Sequence, residues 1–227
     1  MPQRSDLTFR PVARLSKVLT VFFWLSVTGT VGEAATTWYR LLVQDRAYGP
    51  GDLITPHGWF EIAVELAATV LFIVWLWRVR SNAEFLCRAV HRRGRGWVVG
   101  AWFVPVINLW WPKQIVDDVV AASDPRTHPF TPNLNEIRPT RTVLWWWLSW
   151  LAANVVGIAG ACVEPYPDAP NSGAALAAVI LFTLAAVLTG VAAWLAVRLI
   201  ERIGHDQSSR PPVAWWASDQ HLAGGHY

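Results

Sequence analysis

Apolar stretches of bilayer-crossing length recur four times along this chain, at 18–38, 59–77, 143–163 and 174–197. About 20 apolar residues cover a hydrocarbon core of roughly 30 Å at about 1.5 Å per helical residue. Lipid offers no water to open backbone groups, so runs of this length must close their hydrogen bonds internally as helices. The expected class is therefore an all-α membrane protein with four transmembrane helices. Composition agrees: 53% of residues are hydrophobic, only 15% are charged, and mean hydropathy is +0.29. A fifth run, 97–111, is shorter and interrupted by Pro105.

That fifth run decides the topology, and the basic residues decide the fifth run. If it dips in and leaves by the same face, 17 of the 19 Lys and Arg residues fall on one side, leaving only Arg40 and Arg46 on the other. If it spans, the split is ten against nine. Basic loop residues bias orientation strongly toward the cytoplasm, so the uneven distribution is preferred. Fifteen helical residues reach only about 22 Å, and proline removes a backbone donor and breaks a helix. The expected arrangement is four spans with both termini cytoplasmic, in an inner (plasma) membrane, plus a Pro-broken re-entrant or interfacial segment. The first run, preceded by Arg4, Arg10, Arg14 and Lys17, reads as a retained anchor rather than a cleaved leader.

Between the spans the pattern changes. Pro56 suits the first turn of the second span, with Thr55 as its N-cap. From Lys113 to Ser123, the residues Ile115, Val116, Val119 and Val120 share one helical face, predicting a short amphipathic helix at the inner interface. Four prolines between 125 and 139 predict an extended linker. Residues 1–17 read as a cytoplasmic N-terminus, and the polar, Gly- and Pro-bearing segment 204–227 reads as a disordered cytoplasmic tail.

Two sets of residues carry candidate chemistry. His57, Glu61 and Glu65 recur every fourth position and share a helical face, with Glu33 and Glu164 toward the same outer side. Carboxylates inside a span are costly and face a partner, a cavity or water. These five form a candidate ion or proton site, against the plainer reading of interfacial groups paired locally. The second set is aromatic and basic: 16 tryptophans, most of them near the cytoplasmic ends of the spans. An aromatic belt explains them simply. Indoles beside arginines also suit anionic headgroups. Candidate lipid or partner contacts are Arg78, Arg93, Arg95, Trp97, Trp102, Asn108, Trp110, Trp111 and Lys113. No phosphate loop, HExxH, GxSxG, zinc set or cofactor motif occurs, and Cys87 and Cys162 form no CxxC. The basic residues flank apolar runs instead of forming a basic domain, which argues against nucleic acid as a partner.

The stretch Phe72–Arg78, Asn82 and the pattern Gly96-Trp97…Gly100-Ala101-Trp102-Phe103-Val104-Pro105…Asn108-Leu109-Trp110…Pro112-Lys113-Gln114 resembles the domain-of-unknown-function 4328 family of bacterial membrane proteins. Trp111 stands where the resemblance implies an arginine. The likeness implies a membrane location and a shared architecture, and no reaction. Two functions remain open on sequence. One is a non-enzymatic scaffold contacting anionic lipid, a membrane protein partner or a second copy of itself. The other is an oligomeric transporter or channel-like protein for a cation or proton.

Overall fold

The computed structural model describes residues 7–44, 56–134, 137–163 and 173–217. Six α-helices follow in order: α1 Ala13–Tyr39, α2 Pro56–Leu86, α3 Trp97–Gly100, α4 Trp111–Ser123, α5 Arg141–Val163 and α6 Gly173–Ser208. A π-helical turn, Arg40–Gln44, continues α1. No strand occurs among the described residues, where Val90 and Asn133 form an isolated parallel bridge. The fold is all-α, and four of its helices are long and apolar enough to cross a membrane. Pro56 is the first residue of α2, where its missing N–H costs nothing. Thr55, its expected cap, lies outside the described residues.

The expected apolar runs set where the helices lie but understate their length. At about 1.5 Å per residue, α2 reaches about 46 Å and α6 about 54 Å, well past a ~30 Å core. The overhang of α2 carries Arg78, Arg80, Asn82 and Glu84, and that of α6 carries Arg198, Arg202 and Asp206. A helix leaving lipid regains water and polar partners for its side chains, so it need not stop at the boundary.

The chain divides into two compact units. Unit 1 takes Met1–Val18, Leu71–Leu144 and Arg198–Tyr227, and unit 2 takes Leu19–Val70 and Trp145–Val197. Each of the four long helices begins in one unit and ends in the other. Charge divides along the same line: by sequence, unit 1 holds 17 basic and 9 acidic residues, and unit 2 holds 2 and 7.

Unit 2 is packed through small residues. A Cβ on Gly160 would meet Phe182 at 3.2 Å and Leu181 at 3.3 Å, so glycine permits the close approach of α5 to α6. Gly29 of α1 leaves room for the Glu61 carboxyl of α2, 3.3 Å from where a Cβ would stand. The Trp38 indole donates to Thr183 Oγ1 at 2.9 Å, tying α1 to α6. Ser26 has a buried hydroxyl with no hydrogen-bond partner among the described residues.

Unit 1 departs from expectation at α4 and at the tail. The apolar stripe of α4 is buried as anticipated, but Asp117 and Asp118, off that stripe, are also only 5% and 1% exposed. Tertiary contacts surround the helix, so it has no solvated acidic face. Nor is the described part of the tail, 204–217, disordered. Helix α6 runs to Ser208, Arg210 donates to the carbonyls of Asp124 (2.5 Å), Ala122 (3.4 Å) and Thr127, and Trp215 is buried. The cause is a basic side chain meeting the orphan carbonyls that end α4. An indole then packs edge-on to Phe130, with Arg88 5.7 Å from its ring centroid.

Candidate functional site

The broken fifth run builds the most distinctive surface of unit 1. Helix α3 lasts four residues, turns follow through Pro105, and Ile107–Leu109 makes one 3-10 turn before α4. The run closes on itself: the rings of Trp97 and Trp111, its two ends, meet edge-to-face with centroids 4.4 Å apart. The Arg93 guanidinium lies 3.8 Å from the Trp111 centroid, and its Nε and Nη2 donate to Gln114 Oε1 at 3.1 and 3.0 Å. At the base, Val98 and Ala101 are buried. The Trp102 indole donates to Val98 O at 3.1 Å and stands edge-on to Phe72 at 5.5 Å. Beyond this base Phe103, Val104, Val106, Leu109 and Trp110 are exposed, Phe103 by 72%. Asn108 is half-buried in this tip, and its Oδ1 has no hydrogen-bond partner among the described residues.

A charged layer supports the tip. Arg92 donates to Asp118 through its backbone (2.8 Å) and Nε (2.7 Å), and Lys113 reaches Asp117 Oδ2 at 2.6 Å. Glu84 accepts from Arg80 at 2.8 Å and from Arg95 Nε at 2.6 Å. Burial pushes the Asp117 carboxyl up, partly offset by Lys113 and Arg92. His91 is half-buried, but both ring nitrogens are enclosed without a hydrogen-bond partner among the described residues. Burial, then the charges of Arg80, Arg95 and Arg92, hold its pKa well below the ordinary value of 6.5.

Arg93, Arg95, Trp97, Trp111 and Lys113, all candidate lipid contacts, thus have their polar groups or ring faces engaged within the molecule. Trp110 remains exposed and Arg78 is half-buried. Several expected belt indoles are core residues instead. Trp75 is buried with its indole donating to Ser16 Oγ at 3.0 Å, and Trp146 and Trp147 are buried as well. Composition alone cannot separate these uses, because an indole is favourable both at headgroup depth and in a packed core.

Sequence reasoning missed a buried amide node. Asn82 accepts from Arg10 N (3.0 Å) and donates to Arg10 O (2.9 Å) and Gln207 Oε1 (3.0 Å). Gln207 in turn donates to Val79 O and Ser123 Oγ, both at 2.9 Å. Every amide group of both side chains is used, which is how polar groups are tolerated in a core. The signal was present in the stripe Ile200, Ile203, Gln207, which continues at helical spacing past Gly204.

Of the five candidate ion-site residues, three have described side chains. Glu33 and Glu61 are half-buried, and Glu65 is exposed. The His57 side chain and Glu164 lie outside the described residues. Among the described residues no three His, Cys, Asp or Glu side chains are placed to hold a metal ion. Of the two cysteines, Cys87 is buried and Cys162 exposed, both as free thiols.

No curated protein and no solved structure matches the chain. A family described as "Domain of unknown function (DUF4328)" matches residues 40–205, from the π-helical turn after α1 almost to the end of α6, and so takes in the whole tip and its charged support. With well over half its length matched, this chain belongs to the DUF4328 family.

Proposed function

We propose that this is a non-enzymatic, multi-pass inner-membrane module in which unit 1 meets the cytoplasmic leaflet, with the 103–110 tip inserted into lipid and the surrounding arginines facing anionic headgroups. The observation that carries this reading is the exposed cluster of Phe103, Val104, Val106, Leu109 and Trp110 on a loop closed at its base by Trp97 and Trp111. Side chains of this kind on a polar unit favour burial in the interfacial zone. Two further observations support it. Every spanning helix passes between units, whereas 97–111 begins and ends in unit 1. The excess of basic residues also lies in unit 1, on the side where orientation rules place the cytoplasm. Since Arg93, Arg95 and Lys113 are engaged internally, headgroup contact falls to the exposed Arg14, Lys17, Arg126, Arg138 and Arg141.

A spin label at Val106→Cys, with both native cysteines replaced, tests this in nanodiscs. Collision with oxygen and shielding from a water-soluble nickel reagent is the expected result. Equal access for the nickel reagent would remove the tip from lipid.

One observation favours transport as a second reading. Glu65 points outward from an apolar helix, as a residue lining a path between copies would. Proton or cation flux through proteoliposomes that is unchanged by Glu65→Gln would dispose of that reading.

A further inference from the structure

Hydroxyls within the spans of unit 2 settle on their own helix. Thr28 donates to Leu25 O, Thr36 to Gly32 O and Thr183 to Val179 O, each at 2.8 Å. A hydroxyl has one proton, so one such bond uses it. Asn154 of α5 is different. At about 1.5 Å per residue it lies about 20 Å from Arg141 and about 14 Å from Val163, well inside a segment able to cross a bilayer. It is exposed, and among the described residues its side chain makes one hydrogen bond, Nδ2 to Trp150 O at 2.8 Å. A primary amide has two N–H donors and a carbonyl oxygen, so one N–H and the oxygen are left to be met. Hydrocarbon cannot meet them. The apolar side chains nearby set no such demand. Lipid tails are as apolar as leucine, so the exposed Leu176, Ile180, Leu184 and Val187 of α6 gain nothing from a further helix.

We propose that α5 is a self-association surface, on which Asn154 of two copies of this chain form a reciprocal amide pair. The chemistry of the unmet groups selects the occupant. A backbone of another helix offers neither group, because its N–H and C=O are already closed. A second copy offers both. Two copies in one membrane share an orientation, so a two-fold axis along the membrane normal brings equal depths together. Each Asn154 oxygen then accepts the free N–H of the other. A single Asn in the seam of two parallel helices fixes register and oligomer state by the same pairing. Ala161, about two turns further along and also exposed, is small enough to let the two helices approach. The interface is independent of the tip: Asn154 belongs to unit 2 and the tip to unit 1, so either can fail alone.

Sedimentation equilibrium of the full chain in density-matched detergent provides the test, and a dimer is expected. Asn154→Leu should raise its dissociation constant by about 3- to 30-fold for each hydrogen bond lost. Leucine at this exposed position is a good helix former, so the fold should survive the change. Asn154→Gln keeps both amide groups and should retain most of the association. In liposomes, Ala161→Cys in a Cys162→Ser background should give disulfide-linked dimers on oxidation with copper phenanthroline. Val187→Cys, 58% exposed on α6, should not. A chain that stays monomeric in both settings, association indifferent to Asn154→Leu, or cross-linking at 187 in place of 161 overturns the proposal.

Discussion

At the scale of single residues, the energetics concentrate where polar groups are buried. Asn82 joins the backbone of Arg10 on one side to Gln207 on the other, with three hydrogen bonds inside a core. Asn82→Ala strands the Gln207 and Arg10 groups it served, so a loss of about 2–3 kcal/mol is expected, read as a lower melting temperature in detergent. Because both residues share one network, the Asn82→Ala, Gln207→Ala pair should lose less than the sum of the single changes. His91 gives a pH signature. Its folded-state pKa is depressed by burial and by Arg80, Arg95 and Arg92. As pH falls below 6.5, the unfolded chain takes up a proton that the folded one refuses, so stability drops by at most about 1.4 kcal/mol per pH unit. Asp117, whose pKa is raised, works in the opposite sense, so comparison with a variant is needed. His91→Phe should flatten the fall in melting temperature between pH 6.5 and 5. An unchanged slope would show that the imidazole does not titrate as its surroundings require.

At the scale of elements, glycine placement and helix length matter most. Helix α5 comes close to α6 at Gly160, where even a methyl group stands 3.2 Å from Phe182. Gly160→Leu should therefore destabilise by about 1–3 kcal/mol through overpacking, even though leucine is the better helix former. Glycine at 157, where the nearest neighbour is Ala185 at 3.8 Å, provides the control, and Gly157→Ala should be close to neutral. The tail behaves as an element too. Arg210 donates to the carbonyls of Ala122, in the last turn of α4, and of its C-cap Asp124, and Trp215 packs edge-on to Phe130. Truncation after Ser209 removes Ala214, Trp216 and Ala217, and should expose Phe85 and Leu86, against which they pack. Protease sensitivity near Phe85 should rise accordingly.

At the scale of the whole molecule, charge segregation makes a topological prediction. Native Cys162 is exposed near the end of α5 that lies in unit 2, the acidic unit. An impermeant maleimide should label it on intact cells. A cysteine at exposed position 126, in a Cys162→Ser background, should react only after the membrane is opened. Labelling of Arg126→Cys from outside would mean that 97–111 crosses, and the cytoplasmic assignment of unit 1 would be lost.

The apolar runs were enough to specify four helices, because each has to satisfy its own backbone in lipid whatever surrounds it. The charge imbalance was legible for a similar reason, since it depends on counts along the chain and not on contacts. Asp117, Asp118 and Gln207 were misjudged or overlooked because whether a polar side chain is solvated or buried depends on what packs against it. Arg92, Lys113 and Asn82 are 26, 4 and 125 residues from their respective partners. The tail looked solvated because it is polar and bears Gly, Pro and Ser, yet Arg210 meeting three carbonyls and the packing of Ala214 and Trp215 hold its described part. Local chemistry thus set the secondary structure and the uneven distribution of charge along the chain, and tertiary structure alone decided which charges and indoles were left facing outward.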